Sequence, residues 1–430
     1  MFRKINPTQF LSNDASELAT FLITNKIQFV EKSKIYNDRI QTSHNLCIDL
    51  DFHKPGFIRY YVIAEKDKVL GFGAFSKARP TLGYIDIDVA THNITFTPDE
   101  KITLDEKMAL RVQNTKSAQE NHIKNKTTYS HDVAVSAYKN SLPFTFLGFR
   151  PPIEVKKNYG KGLFSKSYSL MKRCEGQDVD KESMEYILKQ GNDNPSTAMM
   201  VKDVLLPIVK AYKRQIANIN YVHRDIKSAN VRAKLSRTDQ PIINFLDLDS
   251  ALPINNNDSA YGSPGFLAPE LFPNFFPNLF DATKTLKVAQ ARDIFGLGVL
   301  LTGCLNPELD PNFYFGSELG ITDGWKVIQA AFNLLTVSDC YDPASMGFQP
   351  NSDDDDDEIV YKDLFIYTED HDLDVTKEQD EIRQLLKDMT NIDPSKRPEI
   401  NDVITKLTLI LGKLELAETL TQHVTKLSPL

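Results

Sequence analysis

The feature that most constrains how this chain folds is a short polar stretch between two apolar segments. The stretch reads YVHRDIKSANVRA and runs from Tyr221 to Ala233. It follows the segment from Thr197 to Ile216, where apolar residues recur at the 3.6-residue spacing that predicts a largely buried helix. The strand-like run NFLDLD comes shortly after it. Charged side chains seldom lie next to buried segments unless they are paired or used, so the stretch indicates an active site or the remnant of one.

This stretch resembles the catalytic loop of protein kinases, which reads HRDxKxxN. The resemblance implies that Asp225 accepts the proton of an attacking hydroxyl, while Lys227 lies over the transferring phosphate. It implies that Asn230, five residues after Asp225, ligates a magnesium ion. It also implies a structural role for His223, and it puts Arg224 where it can read a phosphate on the activation segment.

A second part of the resemblance concerns the metal. Asp247, in the run FLDLDS, lies 17 residues after Asn230, where protein kinases carry the DFG aspartate that grips magnesium. Leu248 replaces the usual phenylalanine, and Asp249 replaces the glycine. The second exchange removes a residue that adopts positive φ freely, although aspartate tolerates such a backbone better than most residues. This departure favours an alternative, an inactive relative that keeps the fold.

Three further runs in family order strengthen the resemblance. The segment YGSPGFLAPE resembles the substrate-docking segment of kinases, where Ser263 would orient the aspartate and lysine of the catalytic loop. Glu270 ends this segment, and the resemblance implies that it forms a buried ion pair with Arg397, in DPSKRPEI. The run ARDIFGLGVLL resembles the buried helix whose aspartate, here Asp293, ties down the backbone of the catalytic loop.

The nucleotide side is indicated more weakly by VLGFGAFSKA, at 69–78. This run resembles the Gly-rich phosphate loop, which implies nucleotide contacts at Leu70, Gly71 and Gly73. Glycines allow the backbone to approach a phosphate closely. By themselves, such turns between strands are frequent hairpins, so the interpretation depends on the catalytic loop.

Arg111 stands where the family has the lysine that pairs with the α- and β-phosphates, in the strand-like run KMALRV. Arginine keeps the charge but presents a wide planar fork. Lys107 lies four residues earlier and is an alternative, because an even offset on a strand gives the same face. The carboxylate that would hold this basic group is either Glu120 or Asp132. The long gap after Gly73 implies either an inserted hairpin around GYIDIDVATHNITF or a different position for the strand with the phosphate-binding cation.

The run SYSLMKRCEGQD, at 167–178, resembles the strand and hinge that read adenine. The resemblance implies that Met171 guards the inner pocket. It also implies that the backbone of Lys172 and of Cys174 bonds the base, and that Asp178 meets the ribose.

Strand-like runs dominate up to about residue 175, and helical runs follow, an α+β pattern. Together with the motifs, it predicts a two-lobed protein-kinase-like fold with a β-rich N-lobe and a helical C-lobe. We expect an N-terminal extension over 1–55, partly helical at about 13–35. We expect the N-lobe with an insertion over 56–175 and the C-lobe over 176–430, with an acidic insertion near 350–360. Further helices are predicted at ARDIFGLGVLLTGCL, DGWKVIQAAFNLLT, EIRQLLKDM and the C-terminal NDVITKLTLILGKLELAETLTQ.

Composition limits the partners. A net charge of −8 without a Lys/Arg-rich run argues against a nucleic-acid surface, and no stretch reaches the length of a membrane span. The four dispersed cysteines indicate neither a zinc site nor a disulfide framework. We therefore expect a cytoplasmic protein, or one delivered into a host cell if it is a bacterial effector kinase. The acidic run from Asp353 to Glu358 predicts a solvated loop or a docking patch for a basic partner.

The resemblance as a whole implies an enzyme that binds ATP and Mg²⁺ and transfers the γ-phosphoryl group to a protein. A lysine two residues after the catalytic aspartate is typical of Ser/Thr kinases, so Lys227 favours Ser and Thr hydroxyls as acceptors. The alternative is a pseudokinase that serves as a nucleotide-binding or protein-binding scaffold, and Arg111 and Asp249 favour it. Phosphorylation of a small molecule is disfavoured by GSPGFLAPE, which resembles peptide-docking apparatus.

Overall fold

The computed structural model of this chain divides into two units, and the α-helices that it describes all lie in the second. The two units are Met1–Arg173 and Cys174–Leu430. The structure describes residues 46–48, 54–64, 67–72, 76–103, 106–114, 166–188, 196–235, 240–248, 251–254, 262–263, 265–271, 287–306, 377–391 and 393–427. The helices predicted at 13–35 and at DGWKVIQAAFNLLT lie outside these residues, as does the acidic run.

In its described part, the first unit is built on an antiparallel sheet of seven strands. They are β1 (Leu46–Ile48), β2 (Phe57–Ile63), β3 (Gly71–Phe72), β4 (Ser76–Asp88), β5 (Ile94–Pro98), β6 (Met108–Asn114) and β7 (Lys166–Lys172). The order along the sheet is β1-β2-β4-β6-β7, and both β3 and β5 pair with β4. β4 is long enough to pair with β3 and β6 through its first half and with β2 and β5 through its second half.

The predicted hairpin is confirmed by β4 and β5, which pair from Gly83 opposite Pro98 to Ile87 opposite Ile94. Its turn is stabilised by the Asp88 carboxylate, which accepts hydrogen bonds from the backbone of the next residues. Ile85 and Ile87 alternate into the core and are fully buried, which is the period-two pattern of a strand. A 3₁₀ turn, Asp99–Lys101, follows β5 directly.

The second unit combines short strands with six α-helices in its described part. The strands are β8 (Gln177–Asp178), β9 (Tyr221–Val222), β10 (Val231–Lys234), β11 (Ile242–Phe245) and β12 (Leu252–Pro253). The α-helices are α1 (Val179–Leu188), α2 (Thr197–Met200), α3 (Leu206–Gln215), α4 (Lys287–Leu305), α5 (Lys377–Met389) and α6 (Ile400–Leu427). The three strands β11, β10 and β8 form one sheet in that order, and β12 pairs with β9.

The helix predicted from Thr197 to Ile216 is interrupted by a π turn, Val201–Leu205, between α2 and α3. Pro207 lies in the first turn of α3. Proline has no N–H and its ring crowds the carbonyl four residues earlier, so a wider turn at this point relieves the conflict. The apolar face still points inward, because Val204, Ile208 and Val209 are fully buried. No helix in the described part of the chain combines the length and the apolar composition that a membrane crossing needs.

From Ile294 onward the helix α4 is almost entirely apolar, and it is buried there along nearly its whole length, as such a pattern predicts. A Cβ added to Gly298 would lie 2.7 Å from the Thr390 side chain and 3.0 Å from that of Met389. The glycine therefore lets α4 and the end of α5 pack closely. This packing fixes the helix that carries Asp293 beneath the polar stretch.

Candidate active site

The polar stretch leaves β9 and turns at Arg224, whose φ of 74° lies in the left-handed region. The next residue, Asp225, is buried. Its Oδ1 accepts a hydrogen bond of 2.8 Å from the Ser263 hydroxyl, and its Oδ2 accepts one of 2.9 Å from the Asn230 amide. The Lys227 ammonium lies 3.2 Å from the same Oδ2 and donates to the Ser263 hydroxyl. One carboxylate thus brings together three of the polar side chains that the motifs predicted.

The charge of Asp225 is controlled by opposing effects. Burial would raise the pKa of this carboxyl, but the Lys227 ammonium, the Ser263 hydroxyl and the nearby His223 outweigh burial and lower the pKa below its usual range. Asp225 is therefore a carboxylate at neutral pH. It can accept a hydrogen bond from an alcohol and orient it, which is most of what phosphoryl transfer asks of a protein group.

Asp293 holds the backbone of the stretch from below. Its Oδ2 accepts hydrogen bonds from the backbone N–H of His223, at 2.5 Å, and from the Tyr212 hydroxyl, at 2.8 Å. Its Oδ1 accepts one of 2.9 Å from the backbone N–H of Arg224. Burial raises the pKa of Asp293 despite these donors. Tyr212 was missed in the sequence, although a tyrosine on the buried face of a predicted helix requires a partner for its hydroxyl.

Leu246 connects the stretch to the strand that leads to Asp247. The backbone oxygen of Leu246 lies 2.8 Å from His223 Nε2, and the backbone N–H of Leu246 donates to the backbone oxygen of Asn230 at 2.7 Å. The backbone just before Asp247 is thereby bonded to His223 and Asn230, the two ends of the predicted catalytic loop. Asp247 itself is exposed, whereas the next residue, Leu248, is buried.

The left-handed backbone in this segment falls on Asp247, with a φ of 54°. Aspartate is among the few residues that adopt this region readily, so the sequence suits the conformation. Asp249, where the missing glycine raised the question of positive φ, lies outside the described residues.

The docking segment reaches the catalytic loop through a glycine. Gly262 has a φ of 141°, and a Cβ there would lie 2.7 Å from the backbone oxygen of Arg224 and 2.5 Å from the Leu267 side chain. Only glycine fits this close approach. Its neighbour Ser263 is thereby held against Asp225. The sequence contains the glycine, but nothing in the sequence shows what it contacts.

Glu270 and Arg397 form a bidentate ion pair with two contacts of 2.8 Å. Their side chains are 2% and 0% exposed. Arg397 also donates to the backbone oxygens of Ala291 and Asn391, at 3.0 and 2.7 Å. A buried charge requires such complete pairing. The pair therefore joins the end of the docking segment to the start of α4 and to the loop after α5.

On the nucleotide side, Gly71 pairs with Ala78 across the β3–β4 hairpin, and the backbone N–H of Leu70 donates to the Ala78 oxygen at 2.8 Å. Gly73 lies outside the described residues. Arg111 lies on β6 directly opposite Ala78. The structure thus brings Arg111 to the strand that leaves the Gly-rich turn.

Lys107 lies elsewhere. It precedes β6, at the end of that strand away from Gly71, and its ammonium lies 3.3 Å from the Asp99 carboxylate. The position of Lys107 therefore does not favour the alternative that this lysine reaches the phosphates along the strand. The two candidate carboxylates, Glu120 and Asp132, lie outside the described residues.

The predicted hinge begins at the end of β7, where Met171 and Lys172 pair with the start of β6. Cys174 is partly buried. Asp178 lies on β8, and its carboxylate accepts a hydrogen bond of 2.9 Å from Arg232 on β10. The carboxylate assigned to the ribose is thus already bonded within the second unit.

A family model described as the protein kinase domain matches residues 154–407, more than half of the 430-residue chain. This chain belongs to the protein kinase superfamily. A comparison with curated proteins found no match. The predicted two-lobed α+β kinase fold is confirmed, with strands in the N-terminal part and helices in the C-terminal part. The kinase match starts after β6, so the Gly-rich turn and Arg111 precede it.

Protein kinase domains use ATP with magnesium, and the donors in this kinase fit that metal. Asn230 turns its amide nitrogen toward Asp225, where it donates to the backbone oxygen and to the carboxylate. Its amide oxygen is left as an acceptor, and Asp247 adds an exposed carboxylate. Magnesium prefers oxygen ligands and takes only one or two carboxylates from the protein, with phosphates and water as the rest.

Proposed function

We propose that this kinase transfers the γ-phosphoryl group of ATP to Ser and Thr hydroxyls of protein substrates. The observation that carries the proposal is the Asp225 carboxylate, which is bonded to Ser263 and Asn230 and lies 3.2 Å from Lys227. A buried, ionised acceptor beside a cation is what positions an alcohol next to a phosphate. The lysine two residues after Asp225 supports Ser and Thr as the acceptors.

In the proposed mechanism, Asp225 accepts a hydrogen bond from the substrate hydroxyl and takes its proton as the new P–O bond forms. The bond between the γ-phosphorus and the bridging oxygen breaks in the same displacement, and ADP leaves. Lys227 offsets negative charge on the transferring phosphate, and Ser263 keeps the aspartate and the lysine in one geometry. Asn230 and Asp247 would hold magnesium. When bound, the metal neutralises charge on the phosphate oxygens.

The nucleotide would be held by the Gly-rich turn at Leu70, Gly71 and Gly73 and by the Arg111 guanidinium. Adenine would be read by the segment from Met171 to Cys174. These assignments accompany a proposed division of the chain into an extension over 1–55, an N-lobe over 56–175 and a C-lobe over 176–430. Asp178 would meet the ribose while also pairing with Arg232 and Lys181, the present partners of its carboxylate.

The decisive experiment is phosphate transfer from ATP to a generic basic protein by wild-type kinase and by Asp225→Asn. The amide keeps the shape but cannot take a proton, so we expect at least a 100-fold loss of rate, the lower range for general bases. Asp388→Asn is the matched control, because the Asp388 carboxylate is partly exposed on α5 and contacts Gln384 and Lys406, side chains to which no motif assigns a role. It should keep the wild-type rate.

The second candidate is a pseudokinase scaffold, which the arginine at position 111 favours. A scaffold has no transfer to lose, so wild type and Asp225→Asn would give the same background rate. Binding of ATP by a wild-type chain that transfers no phosphate would establish the scaffold. Transfer to a small alcohol but to no protein would replace both candidates.

A further inference from the structure

The inserted hairpin of β4 and β5 ends in a carboxylate that contacts the hinge. Asp99 opens the 3₁₀ turn that follows β5. Its Oδ2 lies 3.3 Å from the Lys107 ammonium and 3.3 Å from the Arg173 guanidinium. The three side chains are half-buried, with exposed fractions of 20% for Asp99, 20% for Lys107 and 32% for Arg173. The carboxylate thus bridges two cations that are 66 residues apart in sequence.

The two cations are also joined through the backbone. The N–H of Arg173 donates to the oxygen of Lys107 at 2.8 Å, one step beyond the pairing of Lys172 with Met108 at the end of the β6–β7 ladder. Without the carboxylate, two like charges would face each other at this point, which is unfavourable. Asp99 therefore stabilises the pairing at the place where the chain leaves β7.

The other carboxylate oxygen of Asp99 makes the group depend more strongly on its two cationic partners. Its Oδ1 is buried and has no hydrogen-bond partner within the described part of the chain. A desolvated carboxylate oxygen is costly unless the rest of the group is well paired. The contacts of Oδ2 with Lys107 and Arg173 supply that pairing.

We propose that Asp99 is a positioning residue for the adenine-reading segment from Met171 to Cys174. This inference rests on the proposed function, because that function assigns adenine to this segment. Asp99 touches no nucleotide; it acts through Arg173, which lies between the two residues whose backbone would bond the base. Backbone groups held in place before binding lose less entropy when the ligand arrives. In this kinase an inserted hairpin thus sets the affinity for the base.

The test uses Asp99→Asn in the full chain and two probes, adenosine and magnesium tripolyphosphate. Adenosine carries the base without phosphates, and tripolyphosphate carries phosphates without the base. We expect the Kd of adenosine to rise about tenfold, which corresponds to about 1.4 kcal/mol, while the Kd of tripolyphosphate stays the same. Arg173→Met should produce the same split, and it decides the question if Asp99→Asn does not fold.

Asp86→Asn is the matched control, because Asp86 lies in the same hairpin and forms two 2.7 Å contacts with Arg59 on β2, away from β7. It should lower the Tm and leave the Kd of adenosine unchanged. An equal rise in Asp86→Asn, or no rise in Asp99→Asn and Arg173→Met, overturns the positioning role. If wild type binds neither ATP nor adenosine, the proposed function is wrong and this inference falls with it.

Discussion

At the scale of single residues, Asp225 shows how neighbours decide a charge. Its folded-state pKa lies below the unfolded value of about 3.9. The ionised group therefore stabilises the fold above that pH, and this contribution is lost as the pH falls through the lower, folded pKa. Asp225 consequently keeps its charge throughout the neutral and mildly acidic range. An acidic loss of activity near pH 6 would have another origin.

Replacing Ser263 by alanine should move the acidic limb of the kinase pH profile upward. The variant removes one of the groups that lower the pKa of Asp225 and leaves burial, which raises it, less opposed. We expect a lower rate at acidic pH with partial recovery at higher pH, measured as kcat/KM for a protein substrate across pH 4–9. Ser395→Ala is the control, since Ser395 is exposed and bonds the nearby Asp393. Both residues are far from Ser263 in the sequence. Superimposable profiles for Ser263→Ala and wild type would contradict this.

At the scale of elements, the close contact between the docking segment and the catalytic loop depends on Gly262. The Arg224 carbonyl cannot easily retreat, because the same residue has a φ of 74° and its N–H is bonded to Asp293. A Cβ at 262 would therefore displace the segment and not the loop. Leu267, the other neighbour of that Cβ, can move because it is contacted only through the far end of its side chain.

We expect Gly262→Ala to lower kcat about 100-fold, since a misplacement of about 1 Å can cost this much, with little change in ATP affinity. Single-turnover rates and ATP titrations measure the two quantities separately. Gly412→Ala is the control, because a Cβ there meets nothing within 4 Å and should stabilise the exposed helix by up to about 1 kcal/mol. Recovery of the wild-type rate in the double variant Gly262→Ala with Leu267→Ala would show that the side chain, and not the carbonyl, causes the clash.

The helix predicted over 197–216 shows how far apolar periodicity predicts structure. Apolar spacing correctly predicted a buried helix over 197–216, because burial imposes that spacing on any helical segment. It did not predict the π turn at Val201–Leu205, since one extra residue per turn hardly alters a pattern of mostly apolar positions. Pro207 was the local signal for it.

At the scale of the whole molecule, distant contacts were predicted only where a family motif implied them, as for Glu270 with Arg397 and for Asp293 with the catalytic loop. The catalytic-loop motif lies within eight consecutive residues, from His223 to Asn230, so its spacing is visible in the sequence. The bond of Tyr212 to Asp293 joins residues 81 apart, and no local pattern encodes such a pairing. The same limit explains Lys107: strand parity suggested a phosphate ligand, but the strand begins one residue later and the side chain contacts Asp99.

The longest-range contact in the site supplies a test of how the second unit is held together. Glu270 and Arg397 are 127 residues apart and almost fully buried. Glu270→Gln would leave the Arg397 cation without its counter-charge in a site where its side chain has no access to water. Breaking such a pair from one side costs about 3–5 kcal/mol, which we expect as a loss of free energy of unfolding in urea.

Glu381→Gln provides the comparison for this loss, because Glu381 pairs with Lys413 between α5 and α6 with 30% and 48% of the two side chains exposed. Surface pairs of this kind contribute about 1 kcal/mol or less. Equal losses in the two variants would mean that the buried pair is no more important than an exposed one. The apolar replacement of both partners, Glu270→Leu with Arg397→Met, should recover part of the loss, because it removes the stranded charge together with its partner. Such recovery without restored transfer activity would separate the structural role of the pair from its role in holding the docking segment against the catalytic loop.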